Sequence, residues 1–358
     1  MTSRLAALSR AERISLIVAL AATVAAGVAH YAGWPSGAAF ALATVALASL
    51  AHIVSFGTEQ VGGRFGPAVT GVLQSTLGNL PELFIVIFAL RAGQTVVAQT
   101  SIIGSLFANA LLVLGLVIVT GARAAPDGVM RFQRRLPNDT ATLLLLATFI
   151  IVIVGLSLGS RDNASEHVKA VSTVAAVALL AVYVAWVVPY VRGEQPAEAP
   201  AEEGRALLPL AVAITLLAVA GVGSAFVSDW FIKALEPAMN GLGVSDAFAG
   251  LVVVAIAGNA VENATGLVLA HKGKSDLAVS VVKNSVAQIA AFLFPVLVLI
   301  SLLFTHQLTF ALAPVYIGAL ALTAISVWQV TGDGEAVAFE GWALVATYMV
   351  LATLTLYE

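Results

Sequence analysis

Two short motifs in this chain set a carboxylate inside a long apolar run. Gly78-Asn79-Leu80-Pro81-Glu82 and Gly258-Asn259-Ala260-Val261-Glu262 lie 180 residues apart, and the same offset aligns Ser105 with Ser285. Asn and Glu three residues apart share one helix face, so each motif presents an amide beside an acid. Gly78 and Gly258 permit close approach or a break in the backbone. Pro81 has no amide hydrogen, which frees a carbonyl near Glu82. Irregular backbone at membrane depth is tolerated only where it lines a cavity. Neighbouring runs add hydroxyls at Ser101, Ser105, Ser280 and Ser285, and Gln288 adds an amide oxygen.

A carboxylate in a membrane span costs at least a few kcal/mol, roughly, and is a functional hypothesis by default. The bland alternative is a helix–helix hydrogen bond from a neutral glutamic acid. Two such residues in a matched motif argue against it. The gathered ligands are all oxygen, which suits hard cations, and calcium accepts six to eight such ligands in flexible geometry. Two glutamates match the charge of one divalent ion. Empty, two carboxylates about 4 Å apart would repel by about 4 kcal/mol at an effective dielectric near 20. Desolvation adds to that repulsion. An empty site therefore holds at least one proton, which arriving calcium must displace. Proton-coupled antiport follows.

The elements that must position these residues are membrane helices. Of 358 residues, 60% are hydrophobic and 10% charged, against about 25% charged in soluble domains. Mean hydropathy is +0.98. There is no cysteine, which excludes disulfides, thiolate metal sites and cysteine nucleophiles. No basic block suits a nucleic acid. Eleven runs are long enough to span a bilayer: Ile14–Tyr31, Ser36–Ser55, Phe65–Leu90, Val97–Thr120, Thr140–Leu158, Val168–Val191, Ala206–Val227, Asp246–Ala270, Leu277–Phe304, Thr309–Val330 and Val337–Leu356. Period-2 alternation is lacking, so a β-barrel is excluded.

With the N-terminus inside, the cytoplasmic segments hold twelve Lys and Arg and the outer segments four. That bias orients the chain N-terminus in and C-terminus out. The expected fold is an all-α polytopic membrane protein of 11 transmembrane helices. An N-terminal extra helix (1–35) precedes a first five-helix repeat (36–191), an acidic linker (192–205) and a second five-helix repeat (206–358). Five spans per repeat is odd, so the repeats have inverted topology, as in secondary transporters that bind substrate near the midplane.

Several features keep two readings. Arg4, Arg10 and Arg13 before the first apolar run fit a signal peptide or an uncleaved helix. The linker Gly193–Gly204 carries four acids and no base, and reads as a solvated connection or as a collar attracting cations. Glu59 suits a vestibule or a solvated helix end. His52 suits a proton relay or, more simply, packing. Asp229, Glu236 and Asp246 read as surface residues.

At the two motifs the chain resembles the calcium/proton antiporters, the cation/proton exchanger branch of the calcium:cation antiporter superfamily. The resemblance runs from about Thr58 to the C-terminus. It is strongest in GNLPELFIVIFAL at 78–90, GSLFANALLVLG at 104–115, GNAVEN at 258–263 and DLAVSVVKNSVAQIA at 276–290. Thr58-Glu59, Asp333-Gly334, Glu340-Gly341 and Tyr348 also fit its pattern. Asn79 and Asn259 stand where the sodium-coupled branch typically carries threonine and serine, which favours protons as counter-ion. The resemblance implies eleven helices, with Glu82 and Glu262 carrying calcium and protons in turn, and an acidic segment between the halves on the cytoplasmic side. Three departures stand out. Gln74-Ser75 replace a more usual Asn-Ala. Ala108 leaves Gln288 without a counterpart in the first half. Lys283 sits in a span where an apolar residue is usual, and either snorkels to the cytoplasmic end or opposes calcium.

The expected function is exchange of cytoplasmic calcium for protons by alternating access. The site residues are Glu82, Glu262, Asn79, Asn259, Ser105, Ser285, Gln288, Gly78 and Gly258. No resident cofactor is expected, and no catalysis, since no HExxH, GxSG or paired-aspartate signature lies in the spans. The expected partners are calcium, protons and the lipid bilayer, and the expected place is a prokaryotic cytoplasmic membrane. The alternatives are a sodium-coupled calcium exchanger, another divalent-cation/proton antiporter, and a passive cation channel.

Overall fold

The computed structural model describes residues 10–62, 64, 77–191 and 208–358. Residues 65–76 of the third expected span lie outside these, as do the acidic linker, Gln74-Ser75 and Arg4. Helices dominate: α1 (Arg10–Tyr31), α2 (Ser36–Gly62), α3 (Leu80–Arg91), α4 (Thr95–Ala124), α5 (Arg135–Ser160) and α6 (Val168–Val191) come first. After the linker come α7 (Leu210–Leu242), α8 (Asp246–Gly258), α9 (Ala260–His271), α10 (Ser275–Ser301), α11 (Pro314–Thr331) and α12 (Ala338–Leu356). Among the described residues nine helices are long and apolar enough to cross a membrane, and ten if α8 with α9 counts as one bent span. The chain is a multi-pass integral membrane protein.

The 180-residue offset holds in the backbone. α3 and α9 start and end at matched residues. Each is followed by a turn through a glycine at positive φ, Gly93 at 79° and Gly273 at 70°. α4 and α10 begin at matched residues, and each carries a π-helical stretch at its middle, Ala108–Val113 and Ile289–Leu293. Insertions of this type recur at functional sites.

Three features of the fold depart from the hydropathy reading. The seventh helix runs past Val227 to Leu242, because Asp229 and Lys233 pair at 2.6 Å one turn apart and carry the helix beyond its apolar run. The eighth expected span is broken at Asn259 and bent by 60°. Hydropathy is indifferent to that bend, since both sides are apolar. Two strands, β1 (Val129–Arg131) and β2 (Glu335–Val337), were not anticipated. They pair antiparallel, Met130 opposite Ala336.

The chain forms two compact units that do not follow the sequence halves. The first comprises residues 1–88 and 185–244, where α2 of the first half packs along α7 of the second. Gln60 accepts from the Leu208 amide at 3.1 Å, and Phe40 meets Phe231. The second comprises residues 89–184 and 245–358. In it α4 crosses α8 so closely that a Cβ on Gly104 would lie 2.5 Å from the Leu251 Cα. Small residues allow this backbone approach where lipid supplies no hydrophobic drive for helix association.

At the end of the second unit the Arg131 guanidinium lies 2.6 Å from Asp127 and 3.4 Å from Glu335. The Arg131 hydrogen bond, helped by the Val129 amide, holds the Asp127 carboxyl below the usual carboxylate range. A depressed value stabilises the fold above the unfolded value near 3.9, and that stabilisation is lost as pH falls through the folded value. In a carbon-13 carboxyl titration, Asp127 should therefore protonate at lower pH in the wild type than in Arg131→Gln. Coincident midpoints would refute this assignment.

Candidate functional site

Each motif starts a helix inside an apolar segment. Asn79 and Asn259 stand just before α3 and α9, and their carbonyls accept from Leu83 N at 2.9 Å and Asn263 N at 3.0 Å. Glu82 and Glu262 then fall in the first turns. First-turn amides lack intrahelical acceptors, and the positive end of the helix dipole favours an anion there. The break before each helix is thus what makes a carboxylate tolerable at this depth. Gly78 lies in the turn before α3 and Gly258 closes α8.

Gly78, Asn79 and Glu82 belong to the first unit, where Asn79 and Glu82 are buried. The other expected site residues belong to the second unit, and there the structure joins most of them. The Asn259 amide nitrogen donates to Ser105 Oγ at 3.0 Å and to the Ala255 carbonyl at 3.0 Å. Its amide hydrogens are thereby committed to the protein. Ser285 hydrogen-bonds the Glu262 carboxylate, whose Oε2 is buried without a hydrogen-bond partner. Gln288 is the last residue before the π-helical stretch of α10 and is partly buried. Ser101 is buried, with its hydroxyl donated to the Ala98 carbonyl at 3.0 Å.

One member escaped the sequence reading. The Asn109 amide nitrogen donates to Ser285 Oγ at 3.3 Å, which makes a chain from Asn109 through Ser285 to Glu262. With its oxygen accepting from Asn109, Ser285 turns its own hydrogen to the carboxylate. The available signal was an amide four residues after Ser105 in an otherwise apolar run. Its repeat mate is Ile289, so comparing the halves passes over it.

Lys283 does not snorkel. It is 2% exposed, and its Nζ donates to Thr331 Oγ1 at 2.8 Å at the end of α11. Thr331 in turn donates to the Val327 carbonyl. The last turn of a helix favours a cation, so an interior position costs this ammonium less than hydropathy suggests. His52 is exposed rather than packed, and Glu59 is exposed as well. Asp333 and Glu340 accept from backbone amides at 3.1 and 2.8 Å, closing the turn before β2 and capping α12.

Among the described residues no three His, Asp or Glu side chains cluster. Glu262 is met by the Ser285 hydroxyl, with Asn259 one turn earlier on the chain; hydroxyl and amide oxygens belong to the ligand class of hard cations.

The family model described as "Sodium/calcium exchanger protein" matches residues 36–189 and 212–357. The chain is 30% identical over 339 residues to a vacuolar calcium ion transporter of Schizosaccharomyces pombe, covering 92% of this chain and 82% of that one. It is 31% identical over 347 residues to a Ca(2+)/H(+) antiporter of Synechocystis, covering 90% and 92%. The solved structure of native YfkE superposes with a TM-score of 0.79 at 27% identity, covering 96% of this chain and all of that one. This is a family of transporters and not of enzymes. Matched in both halves by that model and over most of its length by such antiporters, the chain belongs to the sodium/calcium exchanger family, in its calcium/proton antiporter branch.

Proposed function

We propose that this chain exchanges cytoplasmic calcium for protons by alternating access, with Glu82 and Glu262 as the carboxylates that calcium and protons take in turn. The observation that carries the reading is Glu262. Its carboxylate is held by Ser285, its Oε2 has no donor, and Asn259 stands one turn before it. A carboxylate left so is ready for a metal ion or a proton. Glu82 is paired with it because the two motifs match in sequence and in their place at a helix start. Asn79, Asn259, Ser105, Ser285 and Gln288 supply neutral oxygens, and the breaks after Gly78 and Gly258 make room for them. The charge bias sets the N-terminus in the cytoplasm and the C-terminus outside. A prokaryotic cytoplasmic membrane is the setting proposed.

The test is calcium flux with simultaneous pH recording in proteoliposomes, with and without sodium. An outward-directed calcium flux coupled to inward protons, indifferent to sodium, is expected. Calcium flux driven equally by a sodium gradient would favour the sodium-coupled reading. Flux without proton counter-movement would indicate a channel.

A further inference from the structure

Gly104 and Asn284 are repeat mates on α4 and α10, each directly before a site serine. Their surroundings differ. At Gly104 the helix lies against the backbone of Leu251, and one turn earlier the Thr100 side chain occupies the space over Gly250. That face of α4 is sealed by direct contact. The mates of Thr100, Gly104 and Ala108 are Ser280, Asn284 and Gln288, all partly exposed. At four-residue spacing they form one stripe along α10, with oxygen-bearing side chains about 6 Å apart along the axis.

Asn284 Oδ1 is buried and accepts no hydrogen bond. A buried carbonyl without a donor is costly and calls for an explanation. Lys283, its neighbour, is rotated about 100° around the helix and is held on Thr331, so its ammonium is not part of the stripe. What remains is a row of neutral oxygens leading from the Lys272–Lys274 turn toward Ser285 and Glu262. Such a row suits a cation that exchanges water ligands for protein oxygens one at a time. Calcium does this readily, whereas magnesium parts with water reluctantly.

We propose that Asn284 is a specificity-determining residue on the path of the transported cation, an amide oxygen that takes the place of a water on calcium between the turn and the Ser285–Glu262 pair. The inference rests on the calcium exchange proposed above. Because the mate of this stripe on α4 is sealed, the effect of Asn284 is one-sided.

The test uses the full chain in vesicles, with calcium presented either on the face bearing the Lys272–Lys274 turn or on the opposite face. For Asn284→Leu, the KM for calcium on the turn face should rise about tenfold, and the KM from the other face should stay within about twofold. Magnesium should compete more strongly on the turn face. Asn284→Gly, which copies Gly104, should behave as Asn284→Leu does, and Asn284→Ser should recover most of the loss. Unchanged KM in both variants overturns the inference. So does an equal change from both faces, or a lower maximal rate at constant KM, since either marks a structural role. A wild-type chain that exchanges no calcium overturns the proposed function and this inference together. Normal wild-type exchange with unaltered variants overturns the path alone.

Discussion

Glu262→Gln should reduce calcium–proton exchange to below about 1% of the wild-type rate, with the protein still folded. Glutamine keeps the size of the side chain and an oxygen for Ser285, whose hydroxyl meets the native carboxylate. What it removes is the charge. Against a bound cation the loss of a buried, hydrogen-bonded charge costs about 2–5 kcal/mol, and each 1.4 kcal/mol is about tenfold in affinity. An amide also has no carboxyl proton to return, so both halves of the exchange fail. Glu82→Gln should show the same loss, because it occupies the matched place in the first turn of α3. Uptake that survives either replacement at more than about a tenth of wild type would sink the two-carboxylate mechanism. Thermal unfolding of the variants in detergent separates this loss from misfolding.

The second large effect is on stability. Gly104→Ala would bring a Cβ to 2.5 Å from the Leu251 Cα and 2.7 Å from its carbonyl carbon. No flexible side-chain tip can yield there, because the obstacle is the backbone of another helix. Overpacking a well-fitted contact costs about 1–3 kcal/mol, and this one belongs at the upper end. A fall of about 5 °C or more in the unfolding midpoint is expected. Gly318→Ala is the control, since nothing lies within 4 Å of a Cβ built there on α11. Alanine favours helix over glycine, so the control should hold its midpoint or raise it slightly. Equal midpoints for the two variants would mean that the α4–α8 crossing relaxes freely.

Much of this architecture was legible in the residues. Long apolar runs announced the membrane helices, and the repeated Gly-Asn-x-x-Glu pattern announced a second copy of one hairpin. In the backbone the two helices start and end at matched residues and are each followed by a glycine turn, at Gly93 and Gly273. Other features were not legible, each for its own reason. The bend at Asn259 falls inside one long, largely apolar run, where hydropathy carries no signal for it. Asn109 has Ile289 as its mate, so a search by symmetry discards an amide that holds Ser285 beside Glu262. Lys283 looked like a charge needing water because its acceptor, Thr331, lies 48 residues away on another helix. A charge is placed by its partners, and those are tertiary.

The small sheet of β1 and β2 bears on how this chain tolerates change. It ties the loop after α4 to the loop before α12 through main-chain pairing, Phe132 N also reaching the Gly334 carbonyl at 2.9 Å. Main-chain bonds are indifferent to side-chain identity but depend on register, and a slip of one residue turns every side chain to the opposite face. The exposed strand positions, such as Glu335 and Val337, are therefore freer to change than the buried Met130 and Ala336, while the register of the two loops stays coupled. An inserted residue in one needs a compensating change in the other, and a replacement at Gly334, whose φ of 79° favours glycine, is strained as well.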